Sequence, residues 1–495
     1  MTSSPPINRW RAFALLGVAF FMTTIDLTIV NTSLPTIGRD LHFSQTDLQW
    51  LVTAYSLAYG GFMLLGGRAA DLLGRRRVLM AGVGLFTVAS FGATLAGSES
   101  FLIAMRALQG LGAAMLIPAA LSSVRNIFEE GAERNKALGI WGVLGAGGAT
   151  AGIILGGLLT RYAGWQYVFF INVPVGATVL VLAGRLVPES RLDDAGRRYD
   201  ALGALTATAG LVMLVYAISQ APVYGWGAAR TVALLAGSAV LLGVFVAVES
   251  RVDSPLLPLS IFRNRAVAGA NVGGLLLGAS FYAFIFVCTL YMQQVLGYSP
   301  LKGGFTWLTA TLASMAFAGL SQLLVTRSSV KLVLALGMTL IGGGIIWATQ
   351  MPVDGQYWAD MFGPLVVVGI GTAFAFIPVS IGALTGVGEQ QAGLASGLVY
   401  TSQELGGAIG IAIASSVAAA HSQALLKTGS TASVALTAGF QRAYWILGAI
   451  ALLAVPAVFV LMRGAESKAA LASPTGPEAQ RDSPPDPRPD AEVPA

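Results

Sequence analysis

Fourteen stretches of this chain are each long and apolar enough to cross a lipid bilayer, and no other feature narrows its fold so far. A membrane span needs roughly 20 mostly apolar residues. Such runs lie near 12–34, 47–66, 77–95, 101–124, 137–160, 167–185, 201–219, 229–248, 266–291, 303–325, 331–349, 358–384, 391–420 and 442–463. They are continuous rather than alternating. In hydrocarbon every backbone group must bond within its own segment or a closed barrel, so continuous runs are read as helices. The first run is not expected to be a cleaved leader, because it is long, polar in its middle, without a small-residue cleavage site, and followed by thirteen more. Charged residues make up 11% of the chain, where soluble domains carry about a quarter. The expected fold class is an all-α integral membrane protein with 14 transmembrane helices.

Orientation follows from Lys and Arg in the short connections. With the N-terminus inside, 22 of the 29 basic residues fall in inside segments and 6 in outside segments, leaving Arg106 within a span. The chain is therefore expected in the cell membrane as a multi-pass protein with both termini cytoplasmic. The net charge of +5 belongs to this asymmetry, so nucleic acid is not expected as a partner. Cys288 is the only cysteine, and His42 and His421 are the only histidines, both placed in connections. No cofactor, metal centre or enzymatic activity is expected, and intramembrane proton chemistry falls to carboxylates.

Two charged connections divide the chain. "VPESRLDDAGRRYD" (187–200) follows the sixth span, and "ESRVDSPLLPLSIFRNR" (249–265) precedes the last six. The division predicts two six-helix bundles plus two linker helices: residues 1–195, a linker pair over 196–265, and residues 266–465. The segment 466–495, rich in Pro, Asp and Ala, is expected to be a disordered cytoplasmic tail. Paired bundles with a site between them at midplane are a recurring transporter design.

Three ionisable residues stand inside apolar runs and each demands a partner. A charge at the bilayer centre costs roughly 2.5–3.5 kcal/mol on insertion scales. Asp26 sits in the middle of "LLGVAFFMTTIDLTIVNTSLP" (15–35). At helical spacing Thr23, Asp26 and Ser33 share one face and Thr24, Thr28 and Asn31 another, so this span packs in protein or lines a cavity. Arg106, in "FLIAMRALQGLGAAMLIPAA", shares a face with Gln109, Gly110 and Ala113. Either it snorkels to an interface or it pairs with an acid. Asp26 is either a permanent partner of Arg106 or of hydroxyls, or a carboxylate that takes and releases a proton. Glu404, in "YTSQELGGAIG", has Tyr400, Thr401, Gly407 and Ala408 on its side of the helix. It is either a neutral packing feature or a second proton or cation site.

Several motifs carry a resemblance. "GRAADLLGRRR" sets Gly67, Asp71, Gly74, Arg75 and Arg76 in the connection between spans two and three, and it resembles the signature of the major facilitator superfamily. Arg106-x2-Gln109-Gly110-x-Gly112 is similar to that family's fourth-helix motif, in which the arginine is implicated in proton transfer. Asp26, Thr28, Asn31 and Pro35 resemble the first-helix motif of its fourteen-helix drug–proton antiporters. Gly152, Gly156 and Gly157 resemble the antiporter motif of the fifth helix, although Ile153 stands where that motif has proline. Small residues there also suffice to bring helices close.

The resemblance, running over residues 12 to 463, implies a proton-coupled exporter of amphipathic organic compounds such as drugs or antibiotics, working by alternating access. It implies Asp26 and Arg106, with Glu404 added from its position alone, as proton-coupling residues. The 67–76 loop would gate through an Asp71–Arg75 pair, and small organic substrates, protons and the bilayer would be the partners of a functional monomer. Tyr55, Asn31, Gln109, Tyr282 and Tyr400 are the expected substrate-cavity residues, though span aromatics also serve as packing or interface anchors. A dedicated exporter of one metabolite and a proton-coupled uptake symporter are the alternatives.

Overall fold

The computed structural model describes residues 8–44, 47–128, 132–190, 201–252, 255, 257, 259–387 and 392–462. The expected tail 466–495 and most of the 187–200 connection lie outside them. Among the described residues the regular structure is helical. In chain order the helices are α1 (Arg9–Asp40), α2 (Trp50–Leu73), α3 (Arg75–Thr94), α4 (Glu99–Ile127) and α5 (Ala132–Tyr162). Next come α6 (Tyr167–Phe170) and α7 (Asn172–Leu186), one rod interrupted at Ile171, then α8 (Ala201–Tyr224) and α9 (Ala229–Glu249). The remainder are α10 (Arg265–Leu290), α11 (Pro300–Arg327), α12 (Val330–Trp347), α13 (Phe362–Leu384), α14 (Ala392–Lys427) and α15 (Ala432–Leu461). Eleven membrane spans qualify by length and composition among the described residues, α6 and α7 counting as one.

Local chemistry sets several of the starts. A helix leaves its first N–H groups without intrahelical partners, and Ser or Asn just before it supplies an acceptor. Asn8 caps α1 through Arg11 N, Asn264 caps α10, Ser299 caps α11 ahead of Pro300, and Ser329 caps α12. Several helices outrun the apolar runs that mark them; α2 reaches Leu73, so Gly67 and Asp71 lie on a helix and not in the connection, a correction to the sequence reading. Helix α1 continues through Pro35 to Asp40, since the ring's missing N–H is tolerated where neighbouring groups re-satisfy the backbone. Helix α14 runs to Lys427, so His421 lies on an exposed helical turn and not in a connection, a correction to the sequence reading. Residues 421–427 are polar enough to leave the hydrocarbon yet good helix formers, so the helix continues past the apolar limit.

Packing repeats itself along the chain. In the first part α1 lies against α5, α2 and α3 against α4, and α3 against α7. In the last part α10 lies against α14, and α11 and α12 against α13, in the corresponding places. The α1–α5 and α10–α14 seams are both made by glycines. A Cβ on Gly148 would stand 2.9 Å from Thr24 Cβ, and one on Gly152 would stand 2.6 Å from the Ile25 carbonyl oxygen. Cβ atoms on Gly406 and Gly410 would likewise strike the backbones of Leu275 and Ala279. Without side chains at these steps the helix backbones approach closely, the main source of helix association where lipid is as apolar as the side chains.

The two parts touch along α2–α14 and α5–α11, with α8 packed beside α2 and α14. Gly157 would place a Cβ 2.7 Å from Leu301 Cα, and Gly304 one 2.8 Å from the Ile153 carbonyl oxygen. Gln293 Nε2 donates to the Thr32 carbonyl at 2.8 Å. Leu57 joins Ala408, Ala412 and Val215 in one small apolar cluster. Among the described residues these contacts run from midspan to the end where α1 finishes and α11 begins. Toward the opposite end the apolar clusters of the first and last parts are separate.

Candidate functional site

Asp26 is fully buried at the centre of α1, and four other helices supply what surrounds it. Arg106 Nη1 of α4 meets Asp26 Oδ2 at 2.6 Å. One turn on, Gln109 Nε2 donates to Asp26 Oδ1 at 3.1 Å, and Asn172 Nδ2, at the first position of α7, donates to the same oxygen at 2.8 Å. Arg106 is fixed in turn: its Nε donates to the Leu51 carbonyl of α2 at 2.7 Å and its Nη1 to Gln109 Oε1 at 2.9 Å. Tyr55 of α2 lays its ring 4.4 Å from the guanidinium carbon, and Gln109 also donates to Ser90 Oγ of α3 at 2.8 Å. Arg106 does not snorkel, since its side chain is 1% exposed.

An ion pair this dry persists because every oxygen of the carboxylate accepts a charge-assisted or amide hydrogen bond. Removing one partner leaves a buried, uncompensated charge, which costs roughly 3–5 kcal/mol. Protonating Asp26 has the same character: it cancels the charge that holds Arg106 while Leu51 and Gln109 remain as acceptors. The arrangement is thus a charge balance that one proton upsets. An apolar cavity of about 150 Å³ adjoins it between α1 and α7, with Met22, Ile25 and Asn172 among its walls.

Of the residues expected in a substrate cavity, Gln109 and Tyr55 belong to this network. Asn31 is partly buried and donates to its own helix at Leu27 O, 3.4 Å away. Tyr282 of α10 is partly buried and packs on Phe281 and Phe376. Tyr400 of α14 is 49% exposed. Glu404, one turn further along α14, is 3% exposed, with its Cβ 3.2 Å from where a Cβ on Gly60 of α2 would stand. Glu404 thus meets α2 from α14 and is not among the partners of Asp26.

In the α2–α3 connection Gly74 has φ +107°, a conformation that L side chains rarely adopt. The turn delivers Arg75 and Arg76 to the segment after α7: Arg75 N donates to Ser190 O at 2.9 Å and Arg76 N to Glu189 Oε1 at 3.1 Å. Arg76 and Arg77 each reach Glu189 at 3.7 Å. Gly67, on α2, faces Pro118 of α4. The Asp71 side chain lies outside the described residues. Of the α5 glycines, Gly152 and Gly156 face α1 while Gly157 faces α11.

Sequence reasoning missed Asn172, Ser90 and Glu189. Asn172 had a usable signal, a lone amide inside the apolar run 167–185. Ser90 and Glu189 had none, since a serine in a span and an acid at a helix end are ordinary.

The model of the Major Facilitator Superfamily matches residues 16–411. The chain belongs to the major facilitator superfamily. It is a multi-pass membrane protein of this family, whose members are transporters and not enzymes. The chain is 38% identical over 406 residues to the cephamycin export protein of Amycolatopsis lactamdurans, covering 81% of this chain and 83% of that protein. It is 35% identical to the puromycin resistance protein of Streptomyces alboniger, covering 90% and 89%. It is 33% identical to the tetracenomycin C resistance and export protein of Streptomyces glaucescens, covering 82% and 75%. Among solved structures, an auto-inhibited POT family peptide transporter aligns with TM-score 0.66 at 15% identity, covering 91% of this chain and 96% of that one. A bacterial homologue of the human lysosomal transporter Spinster aligns with TM-score 0.63 at 14% identity, covering 95% and 100%. At such identities these two structures share the fold and no more.

Proposed function

We propose that this superfamily member exports amphipathic organic compounds, of the antibiotic or drug class, in exchange for protons. The names of its relatives support export. The fully buried Asp26–Arg106 pair is the observation that carries proton coupling. In this reading the chain crosses the membrane fourteen times with both termini cytoplasmic. Residues 1–195 and 266–465 form two six-helix bundles, joined by the linker pair of 196–265. The contacts at the α1–α11 end then lie at the outer face and hold the two bundles together there.

The cycle follows from the charge balance. A proton from outside reaches Asp26, Arg106 loses its counter-charge, and α1, α4 and α7 are freed from one arrangement. Substrate binding and proton release at the inner face restore it. One charge crossing 100 mV supplies about 2.3 kcal/mol, enough for a roughly fiftyfold bias between orientations. The 67–76 segment, the end of α2 with the turn at Gly74, gates this exchange, with Glu189 anchoring Arg76 on the first bundle.

The test is a susceptibility panel in an efflux-deficient host with and without the protein, followed by inverted vesicles in which added compound should drive proton release. No change in susceptibility to any compound, together with no proton movement, overturns the proposal. The cephamycin exporter's name favours a variant in which one compound alone is carried; protection against a single member of the panel selects it.

A further inference from the structure

Asp26 has a full set of partners, but the second buried carboxylate does not. Glu404 is 3% exposed, and its Oε2 has no hydrogen-bond partner. Ser56 of α2 lies beside the carboxyl group. Among the described residues no Lys, Arg or His forms an ion pair with Glu404. A buried charge in that condition is costly unless something pairs with it.

Its surroundings are aromatic. Tyr59 adjoins Gly60 of α2, which meets the Glu404 side chain, and the Tyr282 ring of α10 packs on Gly407, one turn from Glu404. The rings of Tyr55 and Tyr59 are 6.0 Å apart, and Gly407 on α14 leaves room for the Tyr282 ring beside the carboxylate. Tyr400, one helical turn away on the same helix, is 49% exposed and gives the cluster an accessible side. Tyr55 already presents a ring to Arg106 at 4.4 Å, whereas Tyr59, Tyr282 and Tyr400 carry no cation among the described residues.

We propose that Glu404 and these tyrosines form a subsite for the positively charged group of an organic cation, in the seam between α2 and α14. The carboxylate supplies the counter-charge, and the ring faces, electron-rich at their centres, take the alkyl or aryl substituents of the cation. Such a ligand completes the missing partner of Oε2 electrostatically without needing to donate a hydrogen bond. The subsite joins helices of both halves, so a bound cation holds them together at midspan. This inference rests on the export reading above and narrows its substrate class.

The probes are tetraphenylphosphonium, a permanent cation, and triphenylphosphine oxide, a neutral compound with similar rings. Binding to purified full-length protein in detergent is measured by equilibrium dialysis, for wild type, Glu404→Gln and Glu404→Asp. Loss of a charge-assisted partner should weaken tetraphenylphosphonium about tenfold in Glu404→Gln and leave triphenylphosphine oxide within about twofold. Glu404→Asp, which keeps the charge, should keep the preference for the cation. Equal loss of both probes in Glu404→Gln, unchanged binding of both, or no cation binding by wild type overturns the subsite. Failure of the susceptibility panel breaks the export reading by itself, and binding in detergent does not depend on it.

Discussion

Replacing Asp26 by Asn keeps shape and two hydrogen-bonding atoms but removes the charge opposite Arg106. The guanidinium retains the Leu51 carbonyl at 2.7 Å, Gln109 Oε1 at 2.9 Å and the Tyr55 ring at 4.4 Å. It remains 1% exposed and uncompensated, so breaking the pair should cost roughly 3–5 kcal/mol of stability. Arg106→Gln, which strands the carboxylate instead, should cost a similar amount. The double variant strands neither charge, and exchange of a buried pair for neutral groups is commonly neutral or stabilising by about 1–4 kcal/mol. The two single losses should therefore not add: with the double variant near neutral the coupling is roughly 6 kcal/mol, above the roughly 0.5–3 kcal/mol usual for residues in one network. Chemical unfolding in mixed micelles measures the three variants. Proteoliposomes then separate function from stability. Asp26→Asn should still exchange labelled for unlabelled substrate across the membrane, because that needs no net proton movement. It should not accumulate substrate when a pH gradient is imposed. Additive losses of stability, or gradient-driven accumulation by Asp26→Asn at the wild-type rate, would refute the reasoning.

Three further outcomes follow from particular contacts. Arg106→Lys should fail in proton-driven transport nearly as badly as Arg106→Ala, because an ammonium cannot serve Asp26, Leu51 and Gln109 with one planar group; inverted vesicles measure it, and near-normal transport by the Lys variant contradicts the assignment. Gly157→Val should force apart the α5–α11 contact at Leu301, an overpacking worth about 1–3 kcal/mol. The expected readout is faster maleimide labelling of Ser299→Cys in that background, with the native Cys288 buried and slow to react. Gly74→Ala should strain a turn at φ +107° and set a Cβ 2.6 Å from Glu189 Oε1. We expect slower turnover with unchanged substrate affinity, measured by transport rate against dialysis, and a loss of affinity at normal rate would remove the gating role.

Much of this molecule was legible in its sequence wherever the governing physics is local. Apolar length marks a span, and a cap residue such as Ser299 or Ser329 satisfies N–H groups two or three positions away, so both are written in short windows. The need for partners at Asp26, Arg106 and Glu404 was equally legible, because desolvation is a property of the residue and its own run. Local signals failed where an apolar limit was taken for a helix limit, as at His421 on the extended α14. What the sequence alone could not decide is who meets whom. Asp26 is held by residues 80, 83 and 146 positions away, and Arg106 takes a backbone carbonyl from α2 that no side-chain pattern advertises. The glycines of α5 look alike in sequence, yet Gly156 closes on α1 and Gly157 on α11, because one helical step turns the next residue toward a different neighbour. Asp26 and Glu404 pose the same local problem, and tertiary packing alone gave one of them a guanidinium and two amides and the other a ring of tyrosines.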